Sequence, residues 1–160
     1  MTFSVTRRQA MGRLGQWGVV LSMAGGAAAG WAAQTVTVKD SSEAGRVALT
    51  FFFKLMAHWG CNKDQQCTLL GAIGSTTYFK YKKLPPVRLP HDTLERISYL
   101  MGIHKSLRIL FSNQPERAYD WVHKPNTAAP FNGQSALTYM LGGQVVDLAD
   151  VRRYLDGVRG

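Results

Sequence analysis

From Ser41 onward the apolar residues recur at helical spacing. Val47, Phe51, Phe52, Leu55, Met56 and Trp59 fall on one side of a first helix. Ser41 or Ser42 can cap it, Glu43 suits its first turn, and Gly60 ends it. This aromatic stripe is read as core. A second helix runs from the cap Asn62 to Leu70. After the break Gly71–Gly74, a third runs from Thr76 to Lys83, capped by Ser75 and stopped by Leu84-Pro85-Pro86. Val87 to Pro90 reads as an extended linker. Asp92 caps a fourth helix from Thr93 to about Phe111, with Leu94, Ile97, Leu100, Met101, Leu107, Leu110 and Phe111 as its apolar face and Gly102 as a point of kinking. Asn113 with Pro115 opens a fifth helix carrying Ala118, Tyr119, Trp121 and Val122. His123 to Asn132 is loop, Gln134 to Leu141 a sixth helix ended by Gly142-Gly143, and a last helix runs from near Asp147 to near Leu155, before Gly157. The one strand-like piece is QTVTVK at residues 34–39. The pattern predicts an all-α fold.

The segment before this helical region has a different character. Residues 1–39 contain no Asp or Glu, and Arg7, Arg8 and Arg13 precede an uncharged run from Leu14 to Val38. Positive residues, an apolar stretch and a small-residue end at Ala32-Ala33 have the layout of a secretory signal, and Arg7-Arg8 is a loose version of a twin-arginine pair. A spanning helix is disfavoured, because six Gly lie between Gly12 and Gly30, and Gly and Ala supply little transfer energy. The favoured reading of residues 1–40 is a flexible Ala/Gly-rich extension, or leader codons upstream of a start at Met11 or Met23. An export signal and a retained anchor are the alternatives.

Charge narrows the partners. The 160 residues carry 19 Lys and Arg against 10 Asp and Glu, a net +9. Taking away residues 1–34 removes three Arg and leaves +6, so the helical region is basic by itself. An anionic partner is expected: nucleic acid, a membrane surface or an acidic protein face. A hydrophobic content of 46% excludes wholesale disorder, and two Cys exclude a disulfide scaffold.

Specific chemistry is scarce. His58, Cys61 and Cys67 are close in sequence, but they form no C-x-x-C pair and have no evident fourth ligand, so no metal site is expected. No nucleophile elbow, zinc-protease motif or phosphate-cradling glycine loop occurs. The pairs Asp92/Glu95 and Asp147/Asp150 are explained by helix capping and dipole. The expectation is a protein that is not an enzyme and has no cofactor and no small-molecule substrate.

The helix, Gly-containing turn and helix over residues 62–83 are more informative, because a helix-turn-helix presents its second helix to the DNA major groove in this way. Between Ser75 and Arg108 seven Lys and Arg face two acids, Asp92 and Glu95. Ser75, Thr76, Thr77, Tyr78, Lys80, Lys82, Lys83 and Arg88 are the candidate DNA-binding residues, with hydroxyls first and cations after them. The competing reading is a solvated basic face on a helix packed by Phe79.

The last forty residues add a resemblance. Trp121-Val-His-Lys-Pro125-Asn126, Phe131-Asn-Gly133-Gln-Ser135-Ala136-Leu137, Gln144-Val-Val-Asp-Leu148 and Val151-Arg-Arg-Tyr-Leu155 resemble the toxin-binding domain of the Xre/MbcA/ParS antitoxins. The region upstream resembles that family's Xre-like helix-turn-helix. Two departures stand out: Ala136 replaces the family's Pro, and the turn Gly71–Gly74 is one residue longer than usual. The resemblance implies a helix-turn-helix bundle at 41–90, a helical toxin-binding domain at 91–160, and a cytoplasmic antitoxin of a type II system. Its partners would be a cognate toxin of the RES type, which consumes NAD, and operator DNA through which it represses its own operon. A homodimer is expected from repressor practice. Candidate toxin-binding residues are Trp121, Asn126, Phe131, Gly133, Arg153, Tyr154, Arg159 and Gly160. The basic tail is expected to approach the toxin's substrate cleft, with its terminal carboxylate mimicking an anionic group. Deleting residues 153–160 is then expected to abolish neutralisation and spare operator binding. The alternatives are a helical interaction module without DNA binding, or an exported or membrane-attached helical protein.

Overall fold

The computed structural model describes residues 42–112 and 114–160. The expected extension or signal, the strand-like 34–39 segment, the Ser41 cap and the role of Asn113 lie outside the described residues. Among those described there are seven helices: α1 (Ser42–His58), α2 (Lys63–Leu69), α3 (Ser75–Lys82), α4 (His91–Leu110), α5 (Pro115–Trp121), α6 (Ala136–Met140) and α7 (Val145–Arg159). They contain no strand, only an isolated antiparallel bridge between Pro125 and Ser135. The fold is all-α, and no described helix is long and apolar enough to cross a membrane.

Helix α1 buries Gly45, Leu49, Phe52, Leu55 and Met56, with Trp59 following in the core. Val47 was expected on that side and is exposed, because it lies two residues from Gly45 and Leu49 and so points away from their face. Gly45 is where the chain comes closest. A Cβ there would overlap the Val87 carbonyl oxygen, and the segment before α4 is tied down by Val87 N–H donating to Ser42 O at 2.9 Å. Leu89 packs beneath this contact, so the linker is part of the core.

Asn62 caps α2 as expected, in a reciprocal capping box. Its Oδ1 accepts from Gln65 N–H, and Gln65 Oε1 accepts from Asn62 N–H, both at 2.9 Å. Helix α3 begins one residue earlier than expected. Gly74 is the N-cap and Ser75 the first helical residue, so Ser75 does not cap.

Helix α4 packs against α1, α5 and most extensively α7. Its buried side is Thr93, Arg96, Ile97, Leu100, Ile103, Ser106 and Leu107. Met101 is 44% exposed, contrary to the expected face, and Ile103 takes the core position. Pro90 precedes the helix as N-cap, and Asp92 instead sits in the first turn and pairs with Arg96. Gly102 creates room for a neighbour: the Arg152 side chain of α7 occupies the space a Cβ would take.

Pro115 opens α5 at a position that tolerates a missing N–H. Helix α6 is shorter than expected and is capped by Ser135 Oγ, which accepts from Thr138 N–H at 3.1 Å. Ala136, standing in the Pro position, is buried. Helix α7 starts at Val145, with Gln144 N–H donating to Asp147 at 3.0 Å, and runs through Gly157 to Arg159. A solvent-facing Gly costs a helix only about 1 kcal/mol. Leu148, Val151 and Leu155, packed on α4, keep the helix going.

Candidate nucleic-acid and partner interfaces

The α2–turn–α3 unit is set by one buried polar relay. Gln66 Nε2 donates to Cys61 O at 2.7 Å, and the Tyr78 hydroxyl donates to Gln66 Oε1 at 3.0 Å. Tyr78 is therefore 5% exposed, and burial raises its phenol pKa. Tyr81, three residues on, is also buried. Gly71 turns the chain at φ +101, where a Cβ would press on Asp92 Oδ2 at 2.7 Å.

These anchors fix what α3 shows to solvent. Thr76, Phe79, Lys80 and Lys83 are exposed and follow the i, i+3, i+4, i+7 spacing of one helix side. One expectation is thereby reversed, since Tyr78 packs inward and is not at the surface; Phe79, the packing residue of the competing reading, is 56% exposed. The tyrosines bury because the hydroxyl of Tyr78 finds Gln66, a partnership that residue type alone does not announce. Ser75 is exposed and Thr77 half-buried. Lys63 Nζ donates to Ser75 Oγ at 3.4 Å, which brings a further cation to the start of α3. Lys82 Nζ sits 4.5 Å from the centroid of the Phe53 ring, a cation–π contact, and Arg88 is exposed on the following segment.

The carboxy-terminal candidates divide into buried and accessible. Phe131 is 0% exposed, held edge-on by Trp121 at 6.0 Å, Tyr139 at 5.8 Å and Tyr154 at 4.9 Å. It organises the other rings and presents no surface, which corrects its assignment as a partner contact. Trp121 and Tyr154 stack on each other at 6.2 Å and are half-buried. The Asn126 side chain is engaged inside its own loop: its Oδ1 accepts from Ala128 N–H at 2.9 Å, while its backbone pairs with Gln134 O at 3.0 Å and Gly133 N–H at 2.8 Å. Gly133, Arg153, Arg159 and Gly160 are exposed. Arg153 donates to Asp150 at 2.6 Å, and Arg159 lies 3.8 Å from Asp156.

Around Tyr154 lies a shallow depression lined by Ala129, Pro130, Asp150, Arg153, Gly157 and Val158. Its apolar members include the exposed Val158, and the Asp150–Arg153 pair supplies its charge. Of these residues the sequence singled out Arg153 and Tyr154, and took in Gly157 and Val158 only as part of the basic tail. Val158 follows Tyr154 by four residues along α7, which puts the two on one side of the helix.

Other reactive groups are subdued. Burial pushes the Cys61 thiol up to about 11. His104 is lowered from the ordinary imidazole value by burial, by Arg108 and by His58. Its ring lies 6.0 Å from Tyr119, which stacks on His58 at 4.5 Å, and 5.6 Å from Phe51.

Comparison with known proteins finds two family domains in succession. Residues 40–102 match the antitoxin Xre-like helix-turn-helix domain, and residues 106–160 match the antitoxin Xre/MbcA/ParS C-terminal toxin-binding domain. The chain is 48% identical over 122 residues to "Uncharacterized protein y4oB" of Sinorhizobium fredii (strain NBRC 101917 / NGR234), covering 75% of this chain and 92% of that one. A helix-turn-helix with a basic exposed second helix, followed by the toxin-binding helices in their family order, makes this chain a member of the Xre/MbcA/ParS family of toxin–antitoxin antitoxins.

Proposed function

We propose that this cytoplasmic antitoxin neutralises a RES-type, NAD-consuming toxin and represses its own operon. The observation that carries the repressor role is the outward side of α3, where Thr76, Phe79, Lys80 and Lys83 are exposed together. Ser75, Thr77 and Lys82 flank this side, and Arg88 extends it. Phosphate contacts from the lysines position the helix in the major groove, and the hydroxyls at its start meet phosphates and base edges. Tyr78 acts from beneath, holding α3 on α2. A homodimer on two half-sites, one helical turn of DNA apart, is the arrangement this presentation suits.

Toxin contact is assigned to Arg153, Tyr154 and the exposed end of α7 through Arg159 and Gly160, with Trp121 stacked on Tyr154 and Gly133 exposed on the preceding loop. Asn126 and Phe131 hold the loop and rings in place. The regions thus divide at α4, with residues 41–90 serving DNA and residues 91–160 serving the toxin. The family assignment points to a regulator rather than a catalyst.

The test is coexpression with the product of the neighbouring reading frame. That product alone should arrest growth and deplete NAD, and the antitoxin should restore both. Growth arrest with NAD untouched would overturn the RES-type assignment. In parallel, binding to the upstream DNA should weaken steeply with salt. Binding that ignores salt would overturn the repressor reading.

A further inference from the structure

Phe79 is the anomaly of the α3 surface. It is the large aromatic of that exposed side, 56% exposed, set between Thr76, Lys80 and Lys83. The core does not need it, because Tyr78 and Tyr81 supply the inward packing and the Gln66 relay fixes the helix. Among the described residues its ring neighbour is Tyr78, edge-on at 5.5 Å. The chain carries no Asp or Glu between Asp64 and Asp92, while Lys80, Lys82, Lys83 and Arg88 fall inside that stretch. An exposed apolar ring ringed by cations and hydroxyls, on the second helix of a helix-turn-helix, matches one ligand feature: an apolar group displayed within an anionic groove. The major groove of DNA has such a group in the C5 methyl of thymine, which side chains such as Phe recognise by apolar contact.

We infer that Phe79 is a specificity-determining residue that covers a thymine methyl in the operator's major groove, while Lys80 and Lys83, beside it on the same exposed side, hold phosphates. The inference rests on the repressor reading and deepens it: the operator half-site carries thymine at the position facing the middle of α3, and methyl burial, not charge, sets the preference there. Burying one methyl is worth a factor of about four in affinity.

The experiment uses the full chain and a duplex carrying the sequence upstream of its own gene. Footprinting defines the protected half-site. Each thymine within it is then replaced by deoxyuridine, which removes only the methyl. For the wild type, one or two positions should weaken binding about fourfold each. Phe79→Ala should bind the thymine duplex several-fold more weakly and bind thymine and uracil duplexes alike. Its salt slope should be unchanged, since no phosphate contact is lost. Phe79→Leu should recover part of the thymine preference. An exposed position on a capable helix former makes the Ala variant safe for folding, and its melting curve verifies that. Wild-type binding indifferent to every uracil replacement overturns the inference, as does a Phe79→Ala protein that keeps the full thymine preference. A fall in molecular mass by light scattering in that variant, with thymine preference intact, would assign Phe79 to contact between two copies instead. Failure of the wild type to bind the upstream duplex at any salt would overturn the repressor reading itself, and this inference with it.

Discussion

Arg96 reaches the Gly143 carbonyl at 3.0 Å across the molecule, while its Nε holds Asp92 at 2.8 Å. The guanidinium is thereby placed between the start of α4, the Gly71 turn of the helix-turn-helix and the loop that opens α7. Arg96 is 7% exposed, so its bonds are made out of water and its loss is not compensated by solvent. Arg96→Met keeps the apolar stem and removes the donors. It should lower unfolding free energy by about 2 kcal/mol, read as an earlier urea midpoint with unchanged slope. A midpoint equal to wild type would show that the bond contributes nothing.

Gly45→Ala is expected to destabilise the protein although Ala is the better helix former by about 1 kcal/mol. The Cβ meets the Val87 backbone carbonyl, which is held by its own N–H bond to Ser42 and cannot swing aside like a side chain. Overpacking of this kind costs about 1–3 kcal/mol and should outweigh the propensity gain. Thermal melting of the variant decides the sign.

Stability should fall on mild acidification, and His104 should account for part of the loss. Its imidazole faces Phe51 and Tyr119, and burial first, then Arg108 and the neighbouring His58, disfavour its charge. The folded protein holds it neutral below the ordinary value of 6.5, whereas the unfolded chain protonates there. Its contribution is therefore intact above 6.5 and disappears as the pH falls through the lowered folded value. Urea titrations across that interval should show a shallower slope for His104→Phe than for wild type.

Truncation separates contact from folding at the end of α7. Removing residues 153–160 takes away Tyr154 from the aromatic cluster, the buried Leu155, and Asp156, which accepts from Ser106 Oγ at 3.1 Å and from Arg152 Nε at 2.7 Å. Losing a buried Leu alone costs about 2–5 kcal/mol, so operator binding should fail together with neutralisation, contrary to the expectation from sequence. Removing only 158–160 leaves those groups in place. That shorter deletion, or Val158→Glu, should weaken toxin neutralisation while melting and DNA binding stay as in wild type. Coexpression rescue and electrophoretic shift assays measure the two sides.

Helix order, the turn at Gly71 and the Asn62 cap were legible because each has a local cause: periodicity, a positive φ, a short polar side chain before an apolar run. The exposed side of α3 was misread for a non-local reason. Hydrophobicity ranks Phe above Tyr for burial, yet Tyr78 has Gln66 to satisfy its hydroxyl and Phe79 faces outward. Met101 and Ile103 traded places likewise, since α4 is covered on several sides by α1, α5 and α7 and no single stripe describes it. Phe131 was a partner candidate through the family resemblance, but its neighbours Trp121, Tyr139 and Tyr154 come from three separate helices that only the fold assembles.

The two family matches meet inside α4, between Gly102 and Ser106, where Arg152 lies against Gly102 and Asp156 accepts from Ser106. A hybrid gene that grafts the front of one relative onto the back of another therefore cuts through a mated joint. It keeps its shape only when both parents agree at positions 102, 106, 152 and 156. On the proposed function, operator preference and toxin choice would be inherited as a linked pair, and new combinations should arise by point changes on α3 and at the end of α7 rather than by shuffling of halves.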